Sequence, residues 1–240
     1  MLRSHVEGAL CSARLYRPTR TVYQRLRRSH FDERHALRGL LRDLVPHRGL
    51  VFDVGANRGE MTATFLELGA RVVAVEPTPD LAALVERRYR SKRLAVEACA
   101  IGSEPGTATL HLGSYDEHST LSDEWKDLVP DRWAGSIEVP VRTLDELIAG
   151  HGVPDFLKID VEGYELQVLQ GLSTQVPALS FEFRSDMTSL ALECMEELLR
   201  LGEYRFGFAP LSSWTDPAGI MEALLPLGEG TSGDIYARAV

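Results

Sequence analysis

Two stretches of the 240-residue chain concentrate side chains able to do chemistry: Asp53-Val54-Gly55-Ala56-Asn57-Arg58-Gly59 and Lys158-Ile159-Asp160-Val161-Glu162-Gly163-Tyr164-Glu165. In the first, a carboxylate precedes a glycine that lets the backbone pass close to a ligand, and the amides entering the following helix offer donors to an anion. Glu76 closes the next apolar run, 17 residues after Gly59. A carboxylate at that place can accept both hydroxyls of a ribose, so the two features together predict an adenosine-containing ligand. A dinucleotide turn would carry G-x-G-x-x-G, whose middle glycine lets the pyrophosphate approach. That glycine is missing, and an amino-acid tail does not need it. The turn therefore argues for S-adenosylmethionine over NAD.

In the second stretch Lys158 and Asp160 share one face of a strand by its period of two, with Asp160 at the C-terminal end. A buried strand-end carboxylate needs a partner, and Lys158 is the nearest candidate. Glu162 follows where a helix start would stabilise a negative charge. Glu182, between Phe181 and Phe183, is a second strand-end carboxylate, and His118 lies in an irregular stretch, DEHSTL (116–121). Asp160, Glu182 and His118 are the candidate bases, with Lys158 as charge partner or acceptor clamp. A positioned base adds roughly 10²–10⁴-fold to a transfer in which an alcohol loses its proton. Asp160 and Glu182 also offer oxygen ligands for Mg²⁺, a metal-assisted alternative. The remaining histidines show no paired spacing, and no His-rich metal site is expected.

These residues must be held by strands and helices in alternation. Apolar runs at 50–54, 71–75, 94–101, 156–160, 178–183, 204–208 and 234–239 read as strands, with helices expected over 59–68, 79–90, 162–171 and 187–201. Gly69 is a C-terminal cap, and Thr143 to Glu146 has the spacing of a capping box. TATLHL (107–112) alternates as the second arm of a hairpin after the Glu104-Pro105-Gly106 turn. Residues 113–136 and 209–230 read as loops. The pattern predicts an α/β fold with a largely parallel sheet covered on both faces, and ligands beyond the strands' C-terminal ends where the winding reverses.

Charge divides the chain. Residues 1–48 hold eleven Arg against four acidic residues, a surplus of seven positive charges, which leaves −16 for the rest of a protein whose net charge is −9. The expected organisation is an Arg-rich helical arm or lid over 1–46 and a catalytic domain over 47–240. The arm is expected to pack on its own acidic domain, with self-association through it as a further option, rather than to bind nucleic acid or a membrane. Leu37, Leu40, Leu41 and Leu44 predict an amphipathic helix within it. The three cysteines (Cys11, Cys99, Cys194) are scattered and the N-terminus lacks a signal-like apolar run, so a soluble cytoplasmic protein is expected.

The chain resembles the FkbM-type methyltransferases, a branch of the Rossmann-like S-adenosylmethionine-dependent enzymes, from about Leu40 to Ala237. The resemblance is carried by DVGANRG (53–59), VEP (75–77), AIG (100–102), HSTL (118–121), RTLDEL (142–147), KIDVEGYELQVLQG (158–171) and DIYA (234–237). It implies a class I methyltransferase fold with a mostly parallel seven-stranded sheet and helices on both faces. It implies that Asp53, Gly55, Asn57 and Gly59 line the methionine end of the cofactor and that Glu76 holds the ribose. Asp160 would lie beside the amino group or the transferring methyl, with Ala56, Pro77, Ala98 and Cys99 completing the cofactor surroundings. Ala98 stands where similar chains often carry Asn near the adenine, and Thr120 replaces the second serine of a Ser-Ser-Leu segment. His118, Ser119, Thr120, Glu162 and Trp214 are the expected acceptor contacts. The implied activity is O-methylation of a hydroxyl on a sugar, polyketide or other secondary metabolite. The rival readings are the Mg²⁺-assisted version of that transfer, a nicotinamide oxidoreductase and a binding module using the basic arm.

Overall fold

The computed structural model describes residues 37–113, 119–128, 133–208, 214–228 and 231–240. The chain divides into two units, Met1–Leu41 and Arg42–Val240, of which the first is described only over residues 37–41. Most of the expected arm, and His118, thus lie outside the described residues. Residues 37–44 are helical (α1), with Leu41 and Leu44 buried, as their spacing predicts.

Beyond α1 the alternation expected from the sequence appears. β1 (Leu50–Val54), α2 (Glu60–Glu67), β2 (Arg71–Val75), α3 (Pro79–Arg88) and β3 (Leu94–Glu97) form the first half. β7 (Phe156–Ile159), α6 (Glu165–Gln170), β8 (Ala178–Arg184), α7 (Thr188–Leu201), β9 (Tyr204–Phe208), α8 (Pro217–Leu224) and β10 (Ser232–Ala239) form the second. Their strands make one seven-stranded sheet in the order β3-β2-β1-β7-β8-β10-β9, parallel except for the antiparallel β10. This is the Rossmann-like, mostly parallel seven-stranded architecture. All five residues of β1 are buried because helices cover both faces, which is why the strand reads as an apolar run interrupted only by Asp53. Burying side chains such as Phe52, Phe156 and Phe181, each fully enclosed, contributes about 1.5–3 kcal/mol apiece.

Local signals set the joints. Gly69 (φ 95°) follows α2 and its amide donates to the Leu66 carbonyl. α5 (Leu144–His151) opens on the reciprocal Thr143–Glu146 capping box.

Three expectations are corrected. The third strand does not run through 94–101: it leaves the main sheet after Glu97 and resumes as β4 (Ala100–Ile101), which pairs in parallel with β6 (Trp133–Arg142). β5 (Gly106–Gly113) is the first arm of a hairpin-like pair with β6, not the second arm of one with the preceding strand. The stretch 113–136 contains α4 (Asp123–Leu128) and the start of β6, and α8 lies within 209–230. Gly135 and Pro140 disguised β6, whose buried face is carried by Val139 and Val141 alone. Among the described residues no helix is long and apolar enough to cross a membrane.

Candidate active site

The winding of the main sheet reverses between β1 and β7, so the C-terminal ends of these neighbours leave a crevice. An open pocket lies there, about 700 Å³ when its solvent-filled mouth is counted. Gly55, at the end of β1, has φ 81° and lies so close to β7 that a methyl group on it would collide with the Asp160 carbonyl oxygen. The amides of Gly55 and Ala56 both donate to the Val75 carbonyl (3.0 Å each), and the Asp160 amide donates to that of Val54 (3.0 Å). Three strand ends are thereby tied into one floor.

Glu76 is the first residue beyond β2 and lines the cavity although only 5% of its surface is accessible. Its Oε2 accepts from the Asn57 amide and its Oε1 from the Thr78 amide, both at 2.8 Å. Burial raises its proton affinity, opposed by these amide donors. The carboxylate is therefore fixed in direction, with a lone pair left on each oxygen. Asp53 lies behind the floor, fully buried. Its Oδ2 accepts from the Thr62 hydroxyl (2.6 Å), while its Oδ1 has no partner among the described residues. Burial raises its pKa, against the attraction of Lys158.

The strand register sets the charged groups in a row. Asp53 pairs with Lys158, Lys158 with Ser180, and Glu182 with Asp234, so Asp53, Lys158, Asp160, Glu182 and Asp234 share one face of the sheet. The buried Lys158 ammonium donates to Asp160 Oδ2 at 2.7 Å, the partner expected from the sequence. Burial alone would discharge Lys158, but Asp160, Asp53 and Asp234 outweigh it and hold its pKa above the ordinary lysine value. Asp160, Glu162 and Glu182 each bring a carboxylate oxygen within 4.8 Å of the others, which makes them the oxygen donors available to a cation. Glu182 is driven towards its protonated form by burial first, then by Asp160, Glu162, Glu165 and Asp234.

A turn and a strap close the cavity. In the turn after β7, Glu162 (φ 54°) and Gly163 (φ 88°) both take left-handed backbone. Buried Glu165 spans it, its Oε1 accepting from the Val161 and Gly163 amides at 3.2 Å. Residues 119–121 form the strap. Thr120 exchanges backbone hydrogen bonds with His111, and its hydroxyl donates to the Glu162 carbonyl (2.7 Å) while accepting from the Ser122 amide (2.9 Å).

Of the residues expected at the site, Gly55, Asn57, Glu76, Pro77, Cys99, Ser119, Thr120, Asp160 and Glu162 line this cavity. Asp53, Ala56, Gly59 and Lys158 stand behind or beside it. Ala56 packs with Ala74 and Val85, and Gly59 (φ 80°) starts α2 against Tyr89. Ala98 is exposed and absent from the lining. Glu182 lines a neighbouring recess instead, and Trp214 lines neither space, its ring lying under Arg238 at 4.9 Å. The sequence reading missed Tyr164, Leu110 and Leu121, which supply apolar walls. Tyr164 lies inside KIDVEGYE, one turn from Asp160, and that proximity was the available signal. Cys99 is no nucleophile at neutral pH, since burial pushes its thiol up to about 11.

The floor fits an adenosine-bearing amino-acid cofactor on three observations: the glycine approach that a side chain would fill, the directed Glu76 carboxylate, and the orphaned Asp53 oxygen behind the turn. The fold is Rossmann-like, with the site at its topological switch point. The model of the methyltransferase FkbM domain matches residues 53–206, and the chain belongs to that family. It is 28% identical over 151 residues to the hexuronic acid methyltransferase AglP of Haloferax volcanii, covering 59% of this chain and 57% of that relative's length. Among solved structures it resembles a SAM-dependent O-methyltransferase from Thermotoga maritima (TM-score 0.42, 15% identity, 84% of this chain and 62% of that one). It also resembles an rRNA methylase from Streptococcus thermophilus (TM-score 0.46, 11% identity, 86% and 95%).

Proposed function

We propose that this methyltransferase takes its methyl group from S-adenosylmethionine and delivers it to a hydroxyl of a sugar or related hydroxylated small molecule. The observation that carries the reading is the convergence of Asp160, Glu162 and Glu182 beside the Glu76–Gly55 floor. The bound cofactor supplies an electrophilic methyl on a sulfonium. Glu76, aimed by two amides, accepts the ribose hydroxyls, and the Gly55–Gly59 turn receives the amino-acid end, with Asn57 and Asp53 supporting it. Pro77, Cys99 and the walls around Tyr164 enclose the rest, and Asp160 directs the amino group or the reacting methyl.

A carboxylate acceptor is already ionised and needs no base, whereas a hydroxyl must lose a proton. The cluster supplies that function. Asp160, which lines the cavity, takes the proton in this reading; Glu182 borders the neighbouring recess, and burial and the nearby carboxylates hold it towards its protonated form, so it acts as a base only once ionised. Lys158 holds Asp160 in position. His118 remains a candidate of the same proposal from its sequence neighbourhood, and Ser119 and Thr120, which line the cavity, are assigned to the acceptor side. The hexuronic acid relative supports a sugar-class acceptor.

The test is methyl transfer from S-adenosylmethionine to a panel of hydroxylated glycosides with product analysis. A base-stable methyl ether is expected, and a methyl ester as sole product would overturn hydroxyl transfer. A second reading has Asp160, Glu162 and Glu182 hold Mg²⁺ that orients the acceptor, favoured by the spacing of their oxygens. Undiminished activity after exhaustive chelation excludes it.

A further inference from the structure

Within the acidic body of the chain one stretch has the opposite charge. Arg87-Arg88-Tyr89-Arg90-Ser91-Lys92-Arg93 carries five cations in seven residues and no carboxylate. It spans the last turn of α3 and the turn into β3, and all five cations are exposed. Two neighbours extend it. The Arg93 guanidinium donates to the Ala70 carbonyl (3.1 Å) and the Arg93 carbonyl accepts from the Val72 amide (2.7 Å), which sets Arg93 beside Arg71, the exposed first residue of β2. At the other end the Arg88 guanidinium donates to the Arg58 carbonyl (3.4 Å), one residue from Asn57 in the pocket lining. The cations therefore form one band, from the rim of the pocket to the N-terminal end of β2.

Local structure uses little of this charge. Arg87 and Arg88, in the last turn of α3, complement its dipole at about 0.3–1 kcal/mol each. Arg90, Lys92, Arg93 and Arg71 lie outside that turn. Elsewhere Arg142, Arg184 and Arg200 each meet a carboxylate at 3.0 Å or less. Among the described residues neither Arg71 nor any cation of 87–93 forms an ion pair, and Glu86, which precedes the stretch, does not neutralise it. A run of unpaired like charge repels itself, and a bound polyanion relieves that repulsion.

The surroundings choose among polyanions. An RNA strand is gripped by stacking its bases on aromatic rings, but Tyr89 already has Arg88 over its ring at 5.3 Å and packs on Gly59. A bilayer is gripped by apolar side chains beside the charges, and the exposed large apolar residues, Val153, Leu199, Leu225 and Val240, all lie outside α2, α3, β2 and β3. Guanidinium and ammonium groups alone suit an anionic chain whose body is polar, as in an acidic polysaccharide.

We propose that this band docks a polyanionic glycan, a chain of sugars bearing carboxylate or sulfate groups, one sugar of which is the methyl acceptor. The assignment rests on the methyltransferase reading above and deepens it, since the band holds parts of the acceptor remote from the reacting hydroxyl.

Titration calorimetry on the full chain saturated with S-adenosylhomocysteine tests it, with an oligogalacturonate, a neutral maltodextrin and an RNA strand of equal length, and phosphatidylserine vesicles, as probes. The oligogalacturonate should bind, at least about tenfold more weakly at about 200 mM than at about 50 mM salt, and the maltodextrin should not bind. The triple variant Arg87→Gln, Arg90→Gln, Lys92→Gln should weaken that binding at least about tenfold. Arg205→Gln, at an exposed cation on the opposite edge strand of the sheet, should change it less than about twofold. Neither variant should alter affinity for S-adenosylhomocysteine. Absence of oligogalacturonate binding, binding indifferent to the triple variant, or tighter binding of the maltodextrin, the RNA or the vesicles overturns the assignment. Failure of the wild type to bind S-adenosylhomocysteine would instead overturn the underlying reading.

Discussion

Replacing Lys158 with methionine keeps most of the side-chain volume and removes one buried ammonium. Asp160 then loses the partner 2.7 Å away, and Asp53 and Asp234 lose the cation that offsets their burial. Removing one partner of a buried pair costs about 3–5 kcal/mol. Asp160 is 39% exposed at its side chain, so water takes over part of the lost interaction and the lower end, about 3 kcal/mol, is expected. At about 2–4 °C per kcal/mol for a domain of this size, the variant should melt roughly 6–12 °C below wild type near pH 7.5. The sign with pH follows from the carboxylates left behind. Burial already raises Asp53 and Asp234 above their ordinary values and the loss of the cation raises them further, so the variant's stability is fully present below their unfolded pKa and is lost as pH rises through the folded value. The gap to wild type should therefore narrow near pH 5. Calorimetric melting at the two pH values decides it. A deficit under about 2 °C near pH 7.5, or one that does not narrow on acidification, refutes the reasoning that Lys158 compensates this row of carboxylates.

Three further outcomes follow from the same geometry. Gly55→Ala places a side chain at φ 81° against the Asp160 carbonyl, at about 1–2 kcal/mol for the backbone alone; S-adenosylhomocysteine affinity measured by calorimetry should fall at least about tenfold, because the floor must open. Buried Glu165 is pushed up to about 7 by burial, so its stabilising share is complete below its ordinary value of 4.5 and lost as pH rises through about 7. Wild type should lose up to about 3 kcal/mol across that window in denaturant titrations, and Glu165→Gln should show a flatter profile. Thr120→Val removes the hydroxyl joining the strap to the Glu162 carbonyl and the Ser122 amide, at about 1–3 kcal/mol, and hydrogen exchange at residues 161–163 should speed up.

The parts of this fold legible in the sequence are those where one periodicity dominates. β1, β2 and β7 are buried on both faces and read as apolar runs, and Asp53, Lys158 and Asp160 stood out because charge inside such a run demands a partner. The Lys158–Asp160 pair could be stated outright, since two residues apart on a strand means one face. The second sheet was hidden because β6 buries only alternate residues and carries Gly135 and Pro140, and because β4 is two residues long. Its pairing with β5 is a tertiary fact that no local pattern encodes. Glu182 reads as a strand-end carboxylate, yet only the β8–β10 register shows Asp234 opposite it. Trp125 could be noticed as a loop tryptophan, but its unsatisfied N–H exists only once Gly163 and Arg184 close around its ring.

The central claim is that the Glu76–Gly55 floor holds S-adenosylmethionine, and titration calorimetry on the full chain tests it directly. S-adenosylhomocysteine should bind the wild type, Glu76→Ala should weaken that binding at least about tenfold, and NADH should give no heat of binding. Binding of NADH alone, or S-adenosylhomocysteine affinity unchanged by Glu76→Ala, would contradict the account.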